Sequence, residues 1–415
     1  MTGAKTWVDK KDFGLLILVF ASLPFLSHAG GLGIAATVGV CGIAALVGRK
    51  PPAFNKILQA IPLPMCMLGI FLLWAFVSSF WSPYSSGHTL SNATKILLGV
   101  PAYLMCAFLV KKHAQQQCER NILVRILLIG MFASSVLILC DSVSNYAVTL
   151  TFDPIKDGQS LHAKYGDMVQ NLGHGTSVLS LMLAPVSILF WLQGGRGKII
   201  AIAYVIFVIA CCVATNQSAS LIGTVCALVF MLLANWKPKF MVSSAFIVAM
   251  CSVLFAPLLA FFASRLSIDA KNSLPFSWEE RVENWGYLFE KIREHPILGH
   301  GFDAVRTFND THTIRGFEGR ALVSLHPHNA GLHIWVELGG VGACLACIAL
   351  VFAMKFLIHP GRLSKIQLVA VSGITVAVSM MASLSYGVWQ DWWWAIIIFS
   401  SAQIFFMQSR NRDAI

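Results

Sequence analysis

The stretch "SLHPHNAGLHIWVELGGVG", residues 324–342, brings His326, His328 and His333 close together and follows them with a carboxylate, Glu337, one helical turn on. Two chemistries suit such a set. Three imidazoles and a carboxylate are the ligand types of a zinc site. The spacing is not the H-E-x-x-H of a helical zinc site, however, and Pro327 holds the first two histidines in extended chain. The other chemistry is proton removal. An unperturbed imidazole titrates near pH ~6.5, so its neutral form can accept a proton at working pH. His328 is the candidate base and His326 its candidate neighbour in a shared network. Asn329 can orient a hydroxyl or the imidazole. No metal is expected here, nor any cofactor.

A second group precedes it. Pro275, Ser277 and Glu280 read as the start of a capped helix from Trp278 to about Glu294, ending before Pro296. Trp285, Leu288, Phe289 and Ile292 form its apolar stripe, and Arg281 lies one turn before Trp285 on the same side. Arg281 can pair with Glu280 or Glu283, or stay free to bind an anion. In "HPILGHGF", 295–302, Gly299 and Gly301 flank His300 in a compact turn. Residues 303–325, with Arg306, Arg315 and Arg320, read as a polar, irregular flap over a site.

The elements that must hold these residues are apolar. The chain has 415 residues, 57% hydrophobic and 12% charged, where a soluble domain carries about 25% charged residues. Its mean hydropathy is +0.71. The expected fold is an all-α polytopic membrane protein with about twelve transmembrane helices, near 13–28, 31–47, 60–80, 94–110, 122–140, 174–192, 199–214, 218–235, 240–262, 331–354, 366–384 and 392–408. The chain then divides into 1–262 (nine helices and a secondary outer loop at 141–173), 263–330 (a large outer loop carrying the site) and 331–415 (three helices and a short tail).

Lys and Arg set the orientation. Lys5, Lys10, Lys11, Arg49, Lys50, Lys56, Lys111, Lys112, Arg120, Arg196, Lys198, Lys237, Lys239, Lys355, Arg362, Lys365, Arg410 and Arg412 all fall in short loops or tails at one set of ends. Both termini are therefore expected in the cytoplasm. The net charge of +11 reflects this rule and attraction to anionic lipid, not nucleic acid. Of the 12 histidines, only His113 and His359 map to the cytoplasmic ends. The eleven cysteines avoid the outer loops, and Cys344-x-x-Cys347 reads as packing. "WQDWWW", 389–394, reads as an interfacial aromatic belt, and 54–65 as a helix start bent by prolines. Gly339, Gly340 and Gly342 read as small residues admitting a neighbouring helix.

At these residues the chain resembles the O-antigen ligase family, within the superfamily that also holds O-antigen polymerases and protein O-oligosaccharyltransferases. The family mark is His328, Asn329, nine residues, then Gly339 and Gly342. Arg281 with Trp285, His295-Pro296 and Gly299-x-Gly301 match the superfamily pattern. One departure stands at "TNQSAS", 215–220, where Gln217 replaces an Arg of many relatives; Arg265 is the candidate substitute.

The resemblance implies transfer of a glycan from undecaprenyl pyrophosphate to a sugar of lipid A–core. It places the reaction at the periplasmic face of the inner membrane of a Gram-negative bacterium, metal-independent and with inversion. His328 would be the base, Arg281 the pyrophosphate clamp, and Arg265, His326, Asn329, His300 and Trp285 substrate contacts. The chain would act as a monomer.

A polymerase or a protein O-oligosaccharyltransferase is the alternative within the superfamily. Many protein-modifying relatives have an added C-terminal region, whereas this chain ends soon after its last span. A secondary transporter would need ionisable residues in mid-span and repeated halves, and neither is evident.

Overall fold

The protein is described by a computed structural model covering residues 6–49, 61–323 and 325–407. Lys5, Lys50, Lys56, Arg410, Arg412, Ser324, residues 54–60 of the proline-bent helix start and the extreme end of the last expected span lie outside the described residues. The chain is helical nearly throughout: α1 Trp7–His28, α2 Leu32–Ala44, α3 Leu63–Ser78, α4 Ser86–Ala114, α5 Gln117–Val143, α6 Ala147–Phe152, α7 Leu161–Trp191, α8 Gly195–Ala214, α9 Ser218–Ala234, α10 Pro238–Leu254, α11 Ala256–Ser264, α12 Ile268–Asn272, α13 Phe276–Glu294, α14 Ala330–Ile358, α15 Lys365–Leu384 and α16 Asp391–Ala402.

Among the described residues, seven helices are long and apolar enough to cross a membrane, and α10 with α11 adds an eighth if that bent pair is one span. Four shorter apolar helices, Leu32–Ala44, Leu63–Ser78, Ser218–Ala234 and Asp391–Met407, occupy other expected span positions. The bundle is a polytopic membrane protein. Its outer face carries large apolar side chains such as Leu18, Ile129 and Leu98, which lipid rather than water accommodates.

The bundle has a basic end. Lys11 Nζ reaches the carbonyls of Ala44 and Val47, both at 2.6 Å, Arg49 pairs with the fully buried Asp12, and Lys112 pairs with Asp9 at 2.6 Å. Lys111 stands over Phe405, 5.6 Å from its ring centre. The start of α1 and the end of the described chain thus share this end.

Three expected elements differ. First, α7 begins at Leu161, not near 174, so much of the secondary outer loop is helix. Ser160 caps it, its side chain accepting from the Ala163 amide. Second, the span expected at 240–262 bends by 52° between α10 and α11. Pro257 stands in the first turn of α11, where a missing N–H is tolerated, and the redirected helix packs against α13. Third, α14 breaks at Gly339, with φ 64° and ψ −166°.

That break is satisfied by the turn at 296–301. The amides of His300 and Gly301 donate to the carbonyls of Val336 and Glu337, both at 2.8 Å, and those of Gly340 and Val341 donate to Pro296 and Ile297 at 2.9 and 3.2 Å. Unwound backbone inside a membrane bundle requires such partners. A Cβ on Gly339 would lie 2.2 Å from the Ile297 oxygen, and one on Gly299 2.4 Å from the Glu337 carbonyl. Gly339 therefore admits a loop rather than a neighbouring helix. A Cβ on Gly342 would crowd Leu338 of its own helix, 2.2 Å from its Cβ.

The large loop leans on the bundle, as its size requires. Val282, Trp285, Leu288 and Ile292 of α13 form a small core with Ala256, Ala260 and Ala263 of α11 and Leu332 and Val336 of α14. The expected capping box is absent. Pro275 is the N-cap, its carbonyl accepting from Trp278 and Glu279 at 2.8 and 3.0 Å, so Ser277 is already inside the helix. Glu280 pairs instead with Arg320. The expected irregular flap contains a two-stranded hairpin, β1 Thr311–Ile314 and β2 Phe317–Ala321. Arg315 pins it to α13 by reaching Glu279 and the Leu274 carbonyl, both at 2.5 Å.

Candidate active site

A cavity of about 530 Å³ lies at the end of the bundle opposite the basic one. Its walls come from α4, α7, the start of α9, α13, the 302–306 turn, the 325–333 segment and the 385–391 turn. All three sequence divisions contribute, so the large loop closes a site that the helices build.

His328 lines it in left-handed backbone, φ 54°, a conformation that costs a non-glycine residue energy and marks functional positions. Two contacts hold it there. Its Nδ1 is 2.9 Å from the Ser385 carbonyl. A carbonyl only accepts, so Nδ1 carries the proton and Nε2 is left as the basic nitrogen. Its backbone N–H donates to His326 Nδ1 at 3.2 Å. Burial pushes the His328 imidazole below its ordinary pKa, against a smaller upward pull from Ser385; nearby Arg281 adds to the lowering. The ring is thus kept neutral and proton-accepting.

His326 lies 4.4 Å from His328, ring centre to ring centre. Its Nδ1 is occupied by the His328 amide and its Nε2 lies 3.3 Å from the Gln390 side-chain amide. Burial, then the neighbouring His328 and His333, hold it well below the usual range. His333 accepts from the Val388 amide at Nδ1, 3.3 Å, and faces Glu337 at Nε2, 3.2 Å. Glu337 also accepts from Val305 N–H at 3.2 Å and Trp389 Nε1–H at 2.6 Å. The expected His333–Glu337 pairing is present. Both nitrogens of His326 and of His333 are committed, and among the described residues no group of three or more His, Cys, Asp or Glu could hold a metal ion. The candidate set is held as two pairs, His326 with His328 and His333 with Glu337.

Arg281 reaches the same cavity from α13. The carboxylates that could have claimed it are taken: Glu280 by Arg320, and Glu283 by Lys271 at 3.0 Å. Arg281 instead donates from Nη1 to the Ser277 carbonyl at 2.8 Å and stacks on Trp278 at 5.3 Å. Its Nε is buried with no hydrogen-bond partner among the described residues. Burial pulls its pKa down, a cost that a bound anion would offset. Arg306 and Lys95 add two further cations to the lining. Arg306 donates from Nε to Asp303 at 3.2 Å, and Asp303 also accepts from Asn92 at 2.6 Å. Burial and then Glu337 raise the Asp303 carboxyl above its usual range.

The other expected contacts stand behind the lining. Trp285 is buried and donates from its indole to the Pro327 carbonyl at 3.0 Å. Asn329 is the N-cap of α14, accepting from Leu332 N–H at 3.0 Å. His300 bonds the Lys291 carbonyl at 2.8 Å, and burial lowers its pKa. Arg265 is exposed, stacked on Phe261 at 5.2 Å. Gln217 does line the cavity, but Arg306, not Arg265, is the loop arginine found there. The "WQDWWW" stretch is not a lipid-facing belt: Trp389, Gln390 and Asp391 line the cavity, and Trp392 and Trp393 are buried behind it.

Comparison with known proteins follows the same residues. Residues 203–347, from α8 into α14, match the family model described as O-antigen ligase. That region belongs to the O-antigen ligase family. It holds Arg281, Trp285 and His328 together. Relatives extend the likeness along the chain under the shared name "Putative polysaccharide ligase". One from Rickettsia conorii is 25% identical over 340 residues, covering 79% of this chain and 77% of its own. One from Rickettsia felis is 24% identical over 281 residues, covering 66% and 65%. One from Rickettsia typhi is 30% identical over 116 residues, covering 27% and 28%.

Lys95, Asn92, Gln170, Ser385 and Gln390 are cavity residues that the motifs do not announce. Lys95 carried a signal, since an ionisable residue at the start of an apolar span marks a functional site by default. Ser385 acts through its backbone carbonyl and leaves no trace in residue type.

Proposed function

We propose that this O-antigen ligase family member is a membrane glycosyltransferase. It moves an O-antigen-type glycan from undecaprenyl pyrophosphate to a sugar hydroxyl of lipid A–core. The cavity faces the periplasm of a Gram-negative cell, both termini face the cytoplasm, the chain crosses the inner membrane twelve times, and one copy suffices. The observation that carries the chemistry is the Nδ1 contact of His328 with the Ser385 carbonyl, which leaves a neutral Nε2 in a cavity shared with Arg281.

The acceptor O–H gives its proton to His328 Nε2 as its oxygen attacks the anomeric carbon. The anomeric C–O bond to phosphate breaks, and the pyrophosphate leaves with the electron pair. Attack opposite the leaving group inverts the centre. Arg281, with Arg306 and Lys95, neutralises the charge that develops on the pyrophosphate. Trp285 and Asn329 are positioning residues: one holds Pro327, the other caps the helix that follows His328. No step calls for a metal.

Purified protein given undecaprenyl-pyrophosphate glycan and lipid A–core, with and without EDTA, tests this. Glycan-extended lipid A–core at equal rates in both is expected. Absence of product overturns the transfer. Loss with EDTA and rescue by one divalent ion overturns the arginine clamp. Glycan-to-glycan extension of the donor instead of acceptor labelling would move the chain to the polymerases.

A further inference from the structure

The cavity has a neighbour. A second pocket, about 390 Å³, shares Gln170 and His174 with it as a common wall. It is built by two stretches. Lys164, Asp167, Met168, Asn171 and His174 recur at three- and four-residue spacing and so form one face of the outward extension of α7. Asp153, Lys156 and Gln159 come from the segment before that helix, and Lys164 holds the segment in place through Asp153 at 2.5 Å.

The two pockets differ in charge. In the first, the cations Arg281, Arg306 and Lys95 outnumber the carboxylates Asp303 and Asp391, and Asp303 is already engaged by Arg306 and Asn92. That suits a diphosphate. The second balances Lys156 and Lys164 against Asp153 and Asp167, with Lys164 already paired to Asp153, and adds the amides of Gln159, Gln170 and Asn171. Carboxylates and amides spaced along a pocket suit many neutral hydroxyls, since carboxylates accept and amides both accept and donate. At the common wall, His174 Nδ1 is buried and has no partner among the described residues, a polar atom that a hydroxyl would satisfy.

We infer that the second pocket is the binding site for an oligosaccharide acceptor, whose reacting hydroxyl passes the wall at Gln170 and His174 to reach His328. This rests on the transferase reading above and adds to it the place of the second substrate. The diphosphate and the acceptor then approach one imidazole from two compartments, so neither has to leave for the other to bind.

The test uses the full-length protein in detergent, with the delipidated core oligosaccharide of a rough lipopolysaccharide as probe. Asp167→Ala, Lys156→Ala and a filling variant, Gln159→Trp, change pocket residues outside the first cavity; Asp167 and Lys156 are exposed, and a thermal melt checks folding. Calorimetric titration should show saturable binding to the wild type, weakened at least fivefold in each variant. In turnover the acceptor KM should rise by a similar factor while the donor KM stays at the wild-type value. No binding to the wild type, unweakened binding to folded variants, or a rise in donor KM instead would overturn the assignment. If the wild type binds the oligosaccharide but transfers nothing, the transferase reading fails while the pocket stands.

Discussion

The indole of Trp285 on α13 donates a 3.0 Å hydrogen bond to the carbonyl of Pro327, one residue before His328. Arg281 and the imidazole are thereby held by one short span of contacts. Trp285→Phe keeps most of the buried ring and removes the donor. A hydrogen bond of this kind contributes about 1 kcal/mol, so transfer should fall roughly fivefold with donor KM little changed. Initial rates at saturating donor decide it; full activity would mean that the 326–328 turn is held by its other contacts alone.

Arg281→Ala should abolish transfer while the protein still inserts and melts as the wild type. Arg281→Lys should restore little, because a point charge cannot replace a fork of N–H donors on a diphosphate. Arg306→Ala should cut transfer, and Arg265→Ala, which alters an exposed residue outside the cavity, should cost much less. Near-normal rates with Arg281→Lys would remove the bidentate clamp.

Gly339→Ala puts a side chain at φ 64°, ψ −166°, 2.2 Å from the Ile297 oxygen. The conformation alone costs about 1–3 kcal/mol, and the clash separates the 296–301 turn from the helix break it satisfies. The melting temperature should drop clearly. Gly342→Ala also crowds its neighbour, with its methyl 2.2 Å from Leu338 Cβ, but it keeps ordinary helical backbone and opposes no main-chain oxygen of the 296–301 turn, so it should shift it less. Equal melting temperatures for the two would overturn this account of the break.

The helices, their order and the chemistry-bearing residues were legible because they reside in composition and spacing: apolar runs give spans, and Arg281, Trp285 and His328 stand in recognisable order. What residue type could not show were backbone partnerships. The Ser385 carbonyl that fixes the His328 tautomer, the Pro327 carbonyl that binds Trp285 and the 296–301 amides that satisfy the broken helix are main-chain groups. Asn329 also caps α14 through its side-chain oxygen, a role that residue type alone does not separate from substrate contact, because a buried helix start needs an acceptor. Arg306 lines the cavity and Arg265 does not, because Arg265, at the end of α11, is exposed and stacked on Phe261.

The His328 pKa sets a pH dependence. It lies below the ordinary imidazole value of about 6.5, so neutral His328 still predominates where a free imidazole would be half protonated. The acid limb of the single-turnover rate, where His328 gains its proton, should therefore have its midpoint below that of a free imidazole. A midpoint at or above 6.5 for the acid limb would assign the titration to another group.

His328→Ala should remove turnover and leave donor binding nearly intact. A base acts on the acceptor hydroxyl in the transition state, so its loss falls on rate rather than on donor affinity. General-base loss is worth roughly 10²–10⁴-fold. His326→Ala should cost less: its Nδ1 accepts the His328 amide, so its absence loosens the left-handed turn without removing the base. His333 differs again, because its Nε2 faces the fully buried Glu337 and its Nδ1 receives the Val388 amide. His333→Ala strips a partner from a buried carboxylate, so its main effect should be a lower melting temperature, with a smaller loss of rate per folded molecule. Initial transfer rate, donor binding and melting temperature, measured on all three at equal protein level, separate these roles. A His328 variant that turns over normally removes the base role from His328. One that fails only because it no longer holds donor makes His328 a phosphate ligand beside Arg281.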